Sequence, residues 1–159
     1  MQFLDKSKAF SKSSPITNPL LKKLILFLVV TLLLYLGLDA LLHYHQIGLT
    51  FRTATHSILG NEEEFLDPIL FDTLLEHVHA DILSAMITLM LLTTILVRLN
   101  PNSKQKLVHL SFITAILTQV SLILAPTLPL FISLWVILFI SWHLLSLIIG
   151  FFVLWKLFK

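Results

Sequence analysis

The sequence predicts an all-α fold: a membrane-embedded four-helix up-down bundle with a short, partly helical extracytoplasmic loop. Of the 159 residues, 57% are hydrophobic and only 13% are charged, whereas about a quarter of the residues in a soluble domain are charged. Apolar stretches long enough to cross about 30 Å of hydrocarbon, roughly 20 residues each, occur four times. Lipid is therefore expected to solvate most of the surface.

The chain divides into a short tail and a transmembrane domain. Residues 1–19 are rich in Ser and Lys and contain Pro15 and Pro19, so a disordered tail is expected. The apolar stretch that follows is longer than a signal-peptide core and no A-x-A-like site comes after it, which favours a retained anchor. The domain at 20–159 has expected spans at 24–43, 73–98, 108–125 and 130–155, with an outer loop at 44–72.

Turn residues separate the later spans. Asn100, Pro101 and Asn102 predict a tight turn between the second and third spans. Pro126 and Pro129 bracket an equally short connection between the third and fourth. Both connections place consecutive helices antiparallel to each other.

Basic residues predict the orientation. Only Arg52 lies in the long loop after the first span. Because Lys and Arg concentrate on the cytoplasmic side, both termini are expected in the cytoplasm of a bacterial inner membrane. The ten basic residues on that side are Lys6, Lys8, Lys12, Lys22, Lys23, Arg98, Lys104, Lys106, Lys156 and Lys159.

The outer loop carries helix signals. Thr50 can cap a short helix that ends at Gly60, with Phe51, Ala54 and Ile58 on one face, and this helix is expected along the outer membrane surface.

Further along, Asn61 is followed by Glu62, Glu63 and Glu64. Asn is favourable as a helix N-cap and carboxylates are favourable in the first turn, so this pattern indicates a possible helix start. Thr73 and Glu76 have the spacing of a capping box opening the second span.

Each span carries one stripe of polar or small residues at helical spacing. Such residues permit close helix approach in membranes, and their hydroxyls can bond across the interface, so the stripes are expected to face inward. The stripes are Thr31, Tyr35, Asp39 and His43; His77, Asp81, Ser84 and Thr88; Ser111, Thr114, Thr118, Ser121 and Ala125; and His143, Ser146 and Gly150.

Five of seven histidines and eight of nine acids lie between residues 39 and 81, toward the expected outer end of the bundle. Imidazole and carboxylate suit a transition metal, and histidine can also carry protons near neutral pH. A structural alternative is that these residues only occupy the membrane interface. In the metal hypothesis the core ligands are Asp39, His79 and Asp81, supported by His43, Glu63, Glu76 and His77.

A b-type haem is less favoured. At a rise of 1.5 Å per residue, His143 is expected about 20 Å from the outer surface and His109 about 4–5 Å from the inner one. His109 also points away from the polar stripe of its span, so the two histidines make a poor axial pair.

The outer loop reads GNEEEF from Gly60 to Phe65, and Leu74, Leu75, Glu76 and then His79 follow. These elements resemble a group of small, uncharacterised four-span bacterial inner-membrane proteins. That group carries a GNE-x-E element before the second span and an LLE-x-x-H-x-H element opening it. Here Asp81 occupies the position of the second histidine. The resemblance implies a fold and a location, and no named activity.

Two functions follow as hypotheses. The first is a membrane protein binding a transition metal or respiratory cofactor at its outer face. The second is an accessory or assembly subunit of a larger membrane complex or a homo-oligomer, with the outer loop as docking surface. With no cysteine, thiolate sites are excluded. No nucleophile–base pair supports an enzyme, and the charge pattern gives no support for nucleic-acid binding.

Overall fold

The computed structural model describes residues 18–99 and 105–159. Five α-helices and one short 3₁₀ helix make up this part of the chain. They are α1 (Pro19–Gln46), α2 (Phe51–Leu59), the 3₁₀ helix (Glu62–Glu64), α3 (Phe71–Leu99), α4 (Gln105–Leu124) and α5 (Pro129–Phe158). Four of them, α1, α3, α4 and α5, are long and apolar enough to cross a membrane. The predicted all-α bundle with four spans is confirmed.

Helix α5 is the centre of the bundle, because it packs against each of the other four α-helices. It approaches α1 closely at Gly150, where an added Cβ would lie 2.5 Å from Cδ2 of Leu33. Large apolar side chains such as Phe27, Ile137 and Phe151 face outward on the spans. Only lipid can cover so continuous an apolar surface, so the chain is a multi-pass membrane protein.

The buried apolar residues form two clusters. The terminal cluster, near the start of α1 and the end of α5, comprises Val29, Leu32, Leu36, Ala85, Leu89, Leu92, Leu96, Ala115, Trp142, Ile149, Val153 and Leu157. The loop cluster, at the other end of the bundle, comprises Ile47, Ala54, Ile58, Leu74, Val78, Leu122, Ala125, Ile132, Trp135, Val136 and Phe139.

Helix α2 closes the loop end of the bundle. Thr50 caps it as predicted, with its hydroxyl accepting from Thr53 N–H at 3.2 Å, and Gly60 ends it at φ 80°. Ala54 and Ile58 pack into the loop cluster, while Phe51 is exposed. The predicted apolar face is therefore turned onto the helix bundle, because the ends of the spans leave apolar side chains to be covered there.

The start of α3 corrects one prediction. The helix begins at Phe71, and Leu74 N–H already donates to the carbonyl of Leu70 at 3.0 Å. The predicted capping box of Thr73 with Glu76 is wrong, since Thr73 lies inside the first turn rather than before it.

Two further predictions fall mainly on residues that are not described. The turn at 100–102 is one. The tail at 1–19 is the other, apart from Asn18 and Pro19, which open α1: the Asn18 side chain accepts from Leu20 N–H at 2.9 Å.

The polar stripes face inward with one exception, since Thr31 is exposed. On α4 the stripe residues Ser111, Thr114, Thr118 and Ser121 are all buried. Their hydroxyls donate to carbonyls three or four residues earlier on the same helix, as Thr118 does to Thr114 at 2.7 Å. These four hydroxyls do not form the expected bonds across the interface, because a hydroxyl on a helix reaches its own backbone first. Small size is what these residues contribute to packing.

Candidate functional site

Four polar side chains from three helices meet between the two apolar clusters. Asp39 and His43 lie on α1, Asp81 on α3 and His143 on α5. Asp39, His43 and His143 are 9%, 2% and 6% exposed, and the Asp81 side chain is 15% exposed. Ionisable groups at this depth in a membrane protein are costly and usually serve a function.

His43 connects α1 to α3. Its Nδ1–H donates to the backbone carbonyl of Asp39 at 2.9 Å, one helical turn earlier. Its Nε2 lies 2.9 Å from Oδ2 of Asp81. Because a carbonyl oxygen can only accept, Nδ1 must carry its hydrogen, which leaves Nε2 as the nitrogen that faces the carboxylate. At this distance a hydrogen lies between Nε2 and Oδ2.

His143 uses the same arrangement on α5. Its Nδ1–H donates to the carbonyl of Phe139 at 2.9 Å, and its Nε2 lies 3.0 Å from Oδ2 of Asp39. The other oxygen of Asp39 accepts from the Tyr35 hydroxyl at 3.3 Å and lies 3.8 Å from Nδ1 of His43. Asp39 therefore joins the two histidines in one chain of contacts that runs from Asp81 to His143.

Aromatic rings cover this polar chain. The ring of Phe139 has its centroid 4.6 Å from that of His43 and 4.2 Å from that of His143. Trp142 lies against His143 at 4.0 Å, and Trp135 lies 6.4 Å from His43. These rings keep water away, so electrostatic interactions within the chain act through a low local dielectric.

Three of the four residues lie close enough together to be candidate metal ligands. Asp39, His43 and Asp81 each offer one ligand atom, and these three atoms lie within 4.8 Å of one another. An imidazole nitrogen and carboxylate oxygens are ligands for zinc, iron or manganese. A hydrogen bond from the second ring nitrogen to a carbonyl, as His43 makes, typically fixes the orientation of a ligating histidine.

The other predicted site residues lie elsewhere. Glu63, Glu76 and His79 are exposed, and His77 is partly buried. His79 is two positions from Asp81, which on a helix turns it by about 200° to another face. The structure thus brings together Asp39, His43 and Asp81, and leaves His79 and Glu76 out of contact with them.

The outer loop holds a separate polar group. His56 Nδ1 lies 3.4 Å from Oε2 of Glu64 and 3.2 Å from Nδ2 of Asn61. Paired backbone bonds between Asn61 and Leu66 close a tight turn. At its tip Phe65 has φ 54° and is 95% exposed.

His143 is the site residue that sequence reasoning did not include. Its stripe with Ser146 and Gly150 correctly predicts that it faces inward, and all three are buried. The expected depth of His143, about 20 Å from the outer surface, would place it well below the polar residues expected at the outer end, but its side chain is in contact with Asp39. Depths counted from the surface treat all helices as ending at one level, and this contact shows that α1 and α5 do not. His109 is exposed and does not face His143.

Comparison with known proteins gives one match. A family model, Aq_1264_TM, described as a transmembrane helical domain, matches residues 48–159. The matched range includes Asp81 and His143, while Asp39 and His43 precede it. No curated protein and no solved structure matches the chain. Because the match covers more than half of the chain, the protein belongs to this family of transmembrane helical domains.

Proposed function

We propose that the protein binds one transition-metal ion within the membrane, between Asp39, His43 and Asp81. The observation that carries the proposal is the convergence of three buried or partly buried ligand groups from two helices within 4.8 Å. Bond lengths of about 2.0–2.2 Å place the ligands of one ion about 3–4 Å apart. Small side-chain rotations would therefore bring these groups into coordination.

Charge supports a divalent cation. Two carboxylates and one neutral imidazole match a 2+ ion, and such a match matters where water cannot compensate an isolated charge. The metal would replace the hydrogen between His43 Nε2 and Asp81. Three protein ligands would leave a position open for water or a further ligand.

The ligand types favour zinc, iron or manganese. Calcium and magnesium prefer all-oxygen sites, whereas imidazole favours the transition metals. An intrachain haem with two axial histidines gains no support, because His143 bonds Asp39 and His109 faces outward.

The charge distribution supports an orientation for this site. The basic residues that the structure describes lie toward the terminal end, apart from Arg52 in the outer loop, so the loop end would be extracytoplasmic in a bacterial inner membrane. Those at the terminal end are Lys22, Lys23, Arg98, Lys106, Lys156 and Lys159. Asp39 is about 10 Å from the end of α1 at Gln46. Metal would then approach from the periplasmic side, where exposed Glu62 and Glu63 add negative potential.

A second candidate function is that of an accessory subunit, and one observation favours it. The turn from Asn61 to Leu66 holds Phe65 almost fully exposed in the left-handed region. That conformation is unfavourable for a bulky residue and often marks a functional position. In this alternative Phe65 would dock a partner subunit.

Metal binding to purified, chelator-stripped protein tests the proposal. Titration with zinc should give one ion per chain for the native protein. His43→Leu should lose this binding, while His79→Leu, a matched change at an exposed histidine of α3, should keep it. Absence of zinc binding by the native protein, or equal binding by His43→Leu, would contradict the proposal. A Phe65→Ala variant that lost a co-purifying subunit but kept zinc would add support for the second function.

A further inference from the structure

We infer that His143 is a positioning residue of this metal site, acting through Asp39; the inference rests on the proposed function. Neither the polar stripe of α5 nor the family match assigns His143 a role. Its contact with Asp39 crosses from α5 to α1 and joins residues 104 positions apart in sequence.

The ring of His143 is held on several sides. Nδ1–H is anchored to the carbonyl of Phe139 at 2.9 Å. The rings of Phe139 and Trp142 lie against the imidazole, with centroids 4.2 and 4.0 Å away. With the ring so restrained, Nε2 is fixed as the nitrogen that meets Oδ2 of Asp39 at 3.0 Å.

His143 helps to fix the orientation of the Asp39 carboxylate. The Cβ–Cγ bond of an aspartate is free to rotate unless its oxygens have separate partners. His143 occupies Oδ2, and Oδ1 is thereby turned toward Tyr35 and His43. Removal of His143 would leave the carboxylate held at Oδ1 alone, so it could turn more freely.

The distances favour positioning over direct ligation. Among the described residues, the ligand atoms that lie within 4.8 Å of one another belong to Asp39, His43 and Asp81. His143 is not in this group. His43 and His143 thus share one hydrogen-bonding arrangement, yet only His43 lies among the candidate ligands. Loss of an outer-shell partner of this kind typically weakens metal affinity by about 10- to 100-fold.

The test compares His143→Leu, His143→Gln and the control His109→Leu, an exposed histidine on α4. Zinc affinity is measured by chelator competition, and cobalt(II) bound in place of zinc reports ligand geometry through its visible absorption spectrum. His143→Leu should bind zinc about 10- to 100-fold more weakly with an altered cobalt spectrum. His143→Gln, whose amide can donate from the position of Nε2, should recover most of the affinity and the native spectrum. His109→Leu should match the native protein.

Two results would overturn the inference. One is native affinity and spectrum in His143→Leu. The other is loss of binding that His143→Gln does not restore, which would make His143 a ligand or a packing residue. If His143→Leu does not fold, His143→Asn replaces it, since its shorter amide cannot reach Asp39 and should bind more weakly than His143→Gln. Failure of the proposed function itself is distinguishable, because the native protein would then bind no zinc.

Discussion

The apolar terminal cluster and the polar chain in the middle of the bundle hold the helices together in different ways. At the terminal end, α1, α3 and α5 meet through aliphatic side chains, and Gly150 lets Leu33 approach the backbone of α5. Between the two apolar clusters, the same helices are joined by hydrogen bonds from His43 to Asp81 and from His143 to Asp39. Close packing of apolar and small side chains can itself hold membrane helices together, so the polar chain is an addition to the packing seen at the terminal end.

Burial of the polar chain carries a free-energy cost that the apolar clusters do not have. Buried charge is expensive in a membrane, and aliphatic residues of similar volume would often be as stable or more stable. In this chain the histidine nitrogens and the Asp39 carboxylate all have partners. Hydrogen bonds of this kind make a buried polar network rigid, which suits a role in binding.

Asp39→Leu should have the largest effect, because it removes a proposed ligand and the partner of His143 together. We expect zinc binding to fall at least about 100-fold and unfolding free energy to fall by about 1–3 kcal/mol, since Nε2 of His143 is left buried without a partner. Zinc titration and thermal unfolding in detergent measure the two effects. Glu76→Leu, at an exposed acid of α3, is the control, and equal losses in both variants would contradict the assignment.

Gly150→Leu tests the terminal end. Its side chain would overlap Leu33, and overpacking of this kind costs about 1–3 kcal/mol. Gly37→Leu is the matched control, because nothing lies within 4 Å of an added Cβ there. Thermal unfolding should separate the two variants, and folded Gly150→Leu should still bind zinc. Equal stability of both variants would show that α1 and α5 do not approach closely at Gly150.

Thr118→Val should have the smallest effect. Its hydroxyl bonds the carbonyl of Thr114 on its own helix, so the substitution removes no contact between helices. A change in unfolding free energy below about 1 kcal/mol is expected. A larger loss, measured in the same assay, would indicate a bond from Thr118 to another helix.

Much of the fold could be predicted from hydropathy and turn residues alone. The four spans were visible because the bilayer demands about 20 apolar residues for each crossing, and Thr50 and Gly60 marked α2. The predicted core of Asp39, His79 and Asp81 contains two of the three residues that the structure groups, and His43, predicted in a supporting place, is the third.

The position of each helix along the membrane normal and its rotation about its own axis could not be predicted from hydropathy. His143 lies about 21 Å from the start of α5 and Asp39 about 10 Å from the end of α1. Helices that ended at one level would keep the two side chains apart, so their contact could not be predicted from depth along each helix. His79 entered the predicted site by depth and by resemblance, while its angular position on α3 turns it away from Asp81.

X-ray absorption at the zinc edge of the loaded native protein shows directly which atoms bind the metal. Zinc held by Asp39, His43 and Asp81 should have nitrogen and oxygen ligands at about 2.0–2.1 Å with the outer-shell scattering of an imidazole, and that scattering should be lost in His43→Leu. A spectrum of zinc surrounded only by water or carboxylate oxygens, unchanged in His43→Leu, would contradict this coordination.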